Sequence, residues 1–402
     1  MTCFVTLDDK RECVGVFSDG ELHFEKLPNN LTHTWKPTPS LGSISADAAE
    51  FAYIYADGAT LDDLCPLRLK DSWDTIIKRM KAYKNSFQEA KVNLEENCIF
   101  DLIPLQYLTE YCYLKTEIIK HAFKTLEKPR NYDFMKGLLS LLTEIEGQKI
   151  KLNLASLERK LHNKRARDFA KDLKQGKKYD YVSYDAFKTK TGRLSVKKGS
   201  FPILNLDKQF RCIVEPTNDW IVELDYNAAE LRTLLALAGK EQPNEDIHRW
   251  NSDVLNVSRD EAKNSVISWL YGSKISDIGE RLSRMYEKEK VLSEFYDAEK
   301  EIVTTPFGRE LQADDHHALN YLVQSTTADL VFDRMVAIRD LLRDKKSFIK
   351  FCLHDSVVID LAHEERAEIK EILKIFSDTK LGKFMSSVSA GKNFGDLQRI
   401  NA

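Results

Sequence analysis

The chain has no Cys-x-x-Cys pair, no apolar run approaching the ~18 residues that would span a bilayer, and no large excess of either charge. Each absence removes a class of protein. The seven cysteines (Cys3, Cys13, Cys65, Cys98, Cys112, Cys212, Cys352) are scattered, which argues against a disulfide framework and against a zinc site. The opening Met1-Thr-Cys-Phe-Val-Thr-Leu-Asp8 offers neither a basic n-region nor an apolar h-region, so a reducing cytoplasm is expected and no membrane partner. A formal net charge of -3 means that any nucleic-acid surface must come from local clustering. There is also no internal repeat and no low-complexity stretch. What is present is 402 residues, 43% hydrophobic and 31% charged, enough for two or three domains with a sizeable core.

Residues 2–27 alternate apolar and polar positions around Ser18-Asp19-Gly20 and read as a β-hairpin. Helical patterns follow from Asp71 to Leu142, including Thr109–Leu126 and Asp133–Ile145. Between residues 154 and 200 the composition turns basic, with Lys and Arg well in excess of the nearby acids. Its first part, Ala155–Lys174, reads as a helix, and a turn is expected at Thr191-Gly192. An isolated basic run is ordinarily a solvated helix face. Because this one leads directly into the acidic segment described next, a phosphate-backbone contact fits it better.

Two segments, Ile221-Val-Glu-Leu-Asp225-Tyr-Asn-Ala-Ala-Glu230-Leu-Arg232 and Phe351-Cys-Leu-His-Asp355-Ser-Val-Val-Ile-Asp-Leu361, each set a carboxylate at the end of an apolar strand. A buried strand is a rigid mount whose end stays open to solvent, which suits a metal ligand. Mg²⁺ prefers one or two carboxylates plus substrate phosphates, and two such ions about 3.5–4 Å apart activate one oxygen and stabilise another. Either Asp alone could simply terminate its strand. Between them, however, Ser258-Arg-Asp-Glu261 reads as a capping box opening a helix that runs to Leu270 and stops at Tyr271-Gly272. Arg259, Lys263, Ile267 and Tyr271 recur at steps of four and form one stripe. Two cations near the positive end of the helix dipole would grip a polyphosphate, and the apolar and aromatic residues beyond would pack on a sugar and a base. Glu230, in the first helical turns after Asp225, either lies under that sugar and excludes a 2′-hydroxyl or is an ordinary surface residue. A helix is expected over Ala228–Ala238, a charged helix after Gly272, a turn at Thr305-Pro-Phe-Gly-Arg309, a helix over Ala318–Arg343, and a hairpin over Phe348–Asp360 with His354-Asp355 at its tip. The sum is an α+β arrangement.

These segments resemble, in order, the motifs of family A DNA polymerases, particularly those encoded by bacteriophages. Asp225-Tyr-Asn-Ala-Ala-Glu230-Leu-Arg232 is similar to motif A, Arg259-x3-Lys263-x3-Ile267-x3-Tyr271-Gly272 to motif B, and His354-Asp355-Ser356 to motif C. Thr191-Gly192-Arg193-Leu194-Ser195, Asp246-Ile247-His248 and Asn320-x3-Gln324-Ser-Thr-Thr-Ala328-Asp329 resemble three further elements, and the likeness covers residues 140–402. It implies an α+β palm-fingers-thumb right hand with an antiparallel palm sheet and a small N-terminal α/β domain. On this reading residues 1–125 are an N-terminal domain and 126–402 a polymerase domain, with palm at 140–153, 191–239 and 305–402, a short thumb at 154–190 and fingers at 240–304. The resemblance implies template-directed addition of dNTPs to a primer 3′-OH, with release of pyrophosphate and two Mg²⁺ ions (Mn²⁺ as a substitute) as cofactors. Asp225, Asp355 and the Tyr226 carbonyl would be metal ligands. Lys263 would bind the triphosphate and protonate the departing pyrophosphate, with Arg259 and His248 on phosphates. Tyr271 would stack near the nascent pair, Ile267 lie beneath the sugar and Glu230 act as steric gate. Arg193, Asn320, Gln324 and His354 would contact primer-template DNA. Viral replication in a host cytoplasm is the implied setting, with a processivity factor, helicase/primase or separate exonuclease as further partners.

Several positions depart from the family pattern. Ile267 stands where an aromatic is usual and should preserve discrimination against dideoxynucleotides. Ser356 replaces a usual Glu, which suggests that a third acid is dispensable. Ala228 and His316 stand where Gln and Arg are common. The thumb segment and the fingers between Tyr271 and Arg309 are much abbreviated, which predicts low intrinsic processivity. Upstream, Glu96-Asn-Cys-Ile-Phe-Asp101 and Tyr111-Cys-Tyr-Leu-Lys115 faintly resemble a 3′–5′ exonuclease domain, with Lys115 where a metal-binding Asp would stand, so a degenerate nuclease without proofreading is expected. The competing readings are a single-subunit RNA polymerase and a catalytically inactive DNA-binding accessory protein. Glu230 argues against the first, and the retention of Asp225, Asp355 and Lys263 against the second.

Overall fold

The computed structural model describes residues 2–7, 15–24, 26–41, 48–94, 97–160, 163–174, 181–272 and 277–400. The chain divides into two compact units, residues 1–147 and 148–402.

In the first unit, strands Phe4–Thr6, Val16–Ser18 and Glu21–His23 form an antiparallel sheet in that order. Asp19 and Gly20, at φ 52° and 88°, both take the left-handed conformation that a tight hairpin turn needs. The expected hairpin thus gains a third strand, while residues 8–14 and 25 lie outside the described residues. The long helical stretch resolves into Leu67–Glu89, Leu105–Thr125 and Tyr132–Gly147. The buried faces of the first two share a core that includes Trp73, Ile76, Tyr107, Ile118 and Ile119. The unit ends later than the expected boundary at residue 125. The reason is helix Tyr132–Gly147, whose Tyr132 is 2% exposed, accepts a 3.1 Å hydrogen bond from the Phe51 amide and packs on the Tyr55 ring. Cys98 is disulfide-bonded, so one cross-link stands where the scattered spacing suggested none. Cys3, Cys65, Cys112, Cys212 and Cys352 are not disulfide-bonded, so this is no disulfide framework.

The second unit is built on a five-stranded antiparallel sheet in the order Phe348–Leu353, Ser356–Leu361, Trp220–Tyr226, Ser386–Gly391, Gln398–Ile400. Trp220–Tyr226 is central. Ile221, Val222, Leu224 and Tyr226 are buried, and the polar exceptions are Glu223 and Asp225 near its C-terminal end. Helix Ala318–Leu342 is buried along most of its length, with Ser325, Thr326, Thr327 and Asp329 each at most 1% exposed. It meets helix Ala229–Leu237, where the Thr327 hydroxyl donates to Thr233 Oγ1 at 2.9 Å.

Two helical expectations are corrected. The basic segment is a 3₁₀ turn over Leu154–Lys160 and a separate helix over Lys164–Lys174, because Asn163 starts a new helix by accepting from the Arg165 amide at 2.9 Å. Lys177 and Lys178 lie outside the described residues. The charged helix after Gly272 is two, Asp277–Met285 and Lys288–Phe295. They break where Tyr286 is buried and donates to Asn251 Oδ1 at 2.9 Å, followed by Glu287 at φ 49°. No helix among the described residues is long and apolar enough to cross a membrane.

Candidate active site

Antiparallel pairing places Asp225 opposite Ser356. Asp355, the residue before Ser356, is therefore next to the end of the central strand. The two-residue tip His354-Asp355 puts His354 at φ 55°, a left-handed conformation for which His is among the better-suited residues. Below Asp225 the Tyr226 ring is buried, stacked on Phe376 with centroids 4.0 Å apart, and anchors the strand end. Asp225 keeps one side open to solvent while the protein strips water from the other. Its carboxyl is pushed up to about 6, by burial first and then by Glu223 and Asp355. Burial likewise raises Asp355, against the pull of Arg193 and His354. Among the described residues neither carboxylate accepts a hydrogen bond or ion pair. Two hard-oxygen groups that repel one another and lack protein donors fit a divalent cation well. No third His, Cys, Asp or Glu completes a metal-holding group with them among the described residues.

Glu223 was not anticipated, although strand alternation could have flagged it. Residues two apart share a sheet face, so Glu223 sits beside Asp225. Ser356 Oγ lies 3.2 Å from Glu223 Oε1 and 3.0 Å from the Leu353 carbonyl. Ser356 carries no charge, and Glu223 bears on Asp225 through its charge, raising that carboxyl without completing a metal-holding group among the described residues.

Helix Arg259–Leu270 opens at Ser258, whose side chain accepts from the Glu261 amide at 3.3 Å. Ala262, Val266 and Leu270 are buried, while Arg259, Lys263, Ile267 and Tyr271 share the exposed face, Ile267 at 43% and Tyr271 at 52%. The two cations differ. Lys263 has no ion-pair partner among the described residues, whereas Arg259 donates from Nε and Nη2 to Asp246 at 3.1 and 3.0 Å. That pairing holds the Asp246 carboxyl well below the usual range. His248 is half-buried with Nδ1 unpartnered. Burial lowers its pKa, Asp246 opposes, and Lys263 and Arg259 add to the lowering.

Asn227 links strand and helix. Its side chain donates to Asp246 at 3.1 Å and accepts from the Ile247 amide at 3.1 Å. The wholly buried Arg232 donates to the Asn227 carbonyl at 2.8 Å and to its Oδ1 at 3.1 Å. Sequence reasoning read Asp246 and Arg232 as parts of motifs and gave them no structural role.

The Thr191-Gly192 turn stands on a buried ion pair. Arg309 donates to Asp329 through Nε at 3.0 Å and Nη2 at 2.7 Å, and Gly192, at φ 74°, lies so close that a Cβ there would meet Arg309 Cζ at 2.6 Å. The next residue, Arg193, donates to Glu230 in the first turn of helix Ala229–Leu237. Burial raises the Glu230 carboxyl, with Arg193 opposing. His354 is exposed at the hairpin tip. Asn320 and Gln324 are only 7% and 8% exposed, and the Asn320 Nδ2 has no partner.

No protein-family profile matches the sequence. Curated relatives include a DNA polymerase of Mycobacterium phage L5, 24% identical over 181 residues, which are 39% of this chain and 30% of that protein. DNA polymerase I of Borreliella burgdorferi is 30% identical over 93 residues, 22% of this chain and 10% of that protein. The matched segments thus span under a third of either relative. Among solved structures, the POL domain of Pol1 from M. smegmatis, in complex with DNA primer-template and dNTP, superposes with a TM-score of 0.57 at 14% identity, covering 86% of this chain and 81% of that one. The chain is similar in sequence to parts of two DNA polymerases and has the fold of a polymerase domain.

Proposed function

We propose that this chain is a template-directed DNA polymerase that adds dNTPs to a primer 3′-hydroxyl and releases pyrophosphate. One observation carries the reading: Asp225 near the end of the central strand and Asp355 at the tip of the neighbouring hairpin, both short of protein donors, lie in the same unit as a helix that exposes Arg259, Lys263, Ile267 and Tyr271 on one face. The five-stranded sheet would be the palm, residues 240–304 the fingers and 154–190 a short thumb. Asp225, Asp355 and the Tyr226 carbonyl would hold two Mg²⁺ ions (or Mn²⁺), which when bound activate the attacking oxygen and stabilise the leaving one.

The chain's own groups do the rest. Lys263, Arg259 and His248 bind the triphosphate, and Lys263 gives a proton to the departing pyrophosphate. Tyr271 stacks near the nascent pair, Ile267 packs under the sugar, and Glu230 excludes a 2′-hydroxyl. Arg193 and His354 contact the primer-template; the nearly buried Asn320 and Gln324 fit that role less well. The setting is viral replication in a host cytoplasm, with a processivity factor, helicase/primase or separate exonuclease as partners, and residues 1–125 a degenerate nuclease domain. Primer extension with dNTPs against NTPs tests the reading. Extension should require dNTPs, and Glu230→Ala should relax that preference; equal use of NTPs by the unaltered chain would contradict it.

A further inference from the structure

Glu230 and Arg193 are assigned separate tasks above, one toward the sugar and one toward the primer-template, yet they meet. Arg193 Nη2 donates to Glu230 Oε1, and the Glu230 side chain is 19% exposed. Among the described residues Glu230 has no other hydrogen-bond or ion-pair partner. The helix that would close over the sugar cannot supply one from residue 267, because isoleucine has no donor. The backbone that carries the guanidinium is itself held from behind. Thr189 Oγ1 donates to the Arg193 carbonyl at 2.6 Å, and the preceding Gly192 rests on Arg309, which Asp329 holds in place. A carboxylate this far from water is oriented by the donor it has, and it loses that orientation when the donor is removed.

We infer that Arg193 is the positioning residue of the sugar gate: it aims the Glu230 carboxylate, so that discrimination between deoxy- and ribonucleotides depends on Arg193 as well as on Glu230. The inference rests on the polymerase reading and adds to it a second specificity determinant from a distant segment. The pair also joins two tasks in one contact, because a primer terminus that draws Arg193 away would loosen the gate.

The test is the ratio of kcat/KM for a dNTP to that for the matching NTP, on one primer-template, for the full chain and for Arg193→Ala, Arg193→Lys, Glu230→Ala and Arg193→Ala/Glu230→Ala. Weaker DNA binding alone lowers both nucleotides together and leaves the ratio unmoved. The expected result is a fall in the ratio of about tenfold or more in Arg193→Ala, the scale of one charge-assisted hydrogen bond. Arg193→Lys should lie between that variant and the unaltered chain. The double variant should be no less selective than Glu230→Ala alone, because both act through one carboxylate. If Arg193→Ala extends too slowly to score, Arg193→Lys decides. An unchanged ratio in the Arg193 variants beside a relaxed Glu230→Ala would overturn the positioning role and leave the gate standing. An unchanged ratio in Glu230→Ala itself would overturn the gate and this inference with it, and absence of any extension by the unaltered chain would remove the reading beneath both.

Discussion

At Asp225 the needs of the fold and of the chemistry diverge. Its carboxyl sits at about 6 because burial, Glu223 and Asp355 all disfavour the charge. A folded-state pKa above the ordinary value means that the folded chain holds the proton more tightly than the unfolded chain. The resulting stability is fully present below the ordinary carboxylate range and is lost as pH rises through about 6. Near neutral pH, without a divalent cation, ionised Asp225 therefore weakens the fold. Asp225→Asn should raise Tm in metal-free buffer by roughly 2–4 °C, an advantage that disappears at acid pH; an unchanged or lower Tm near neutrality would show that the site is not frustrated. Ile267 makes a second residue-scale prediction. Lacking a hydroxyl to stand in for a missing 3′-OH, it should keep dideoxynucleotide incorporation poor, and Ile267→Tyr should raise it. A chain-termination ladder as strong from the unaltered chain as from the variant would remove that role.

The elements show why part of the site could be read in advance and part could not. The stripe on Arg259–Leu270 follows from helical period alone, and the structure keeps Ala262, Val266 and Leu270 inward and the four stripe residues outward. The Asp225 strand and the His354-Asp355 hairpin were legible from apolar runs broken by a carboxylate. What stayed hidden were contacts between segments remote in sequence: Arg309 with Asp329, Arg193 with Glu230, Arg259 with Asp246. No local pattern encodes a pairing that only the tertiary fold brings together. The Arg309–Asp329 pair is the support of the Arg193 turn, so its loss should be felt twice. Asp329→Ala should cost about 3–5 kcal/mol, because it leaves Arg309 buried and uncompensated, and it should reduce extension at temperatures where the chain remains folded. A loss below about 1 kcal/mol in urea unfolding would place the pair with ordinary surface bridges.

Across the whole molecule, the described residues between Leu152 and the Thr191-Gly192 turn comprise a 3₁₀ turn, the helix Lys164–Lys174 and the two-residue strand Tyr184–Asp185. A segment this short offers few phosphate contacts to hold duplex DNA, and each contact adds to a salt-dependent affinity. Single-binding-event extension in the presence of a trap should give short products that shorten further with added salt; long, salt-insensitive products would contradict a minimal thumb. The central claim is narrower and more exposed to refutation: Asp225 and Asp355 together carry nucleotide transfer. Single-turnover addition of one dNTP to a primer, with Mg²⁺ present and DNA binding measured in parallel, tests it most directly. Asp225→Ala and Asp355→Ala should each lower the rate on the order of 10³-fold while primer-template affinity stays within a few-fold. A rate retained in either variant, or lost only in step with DNA affinity, would contradict it.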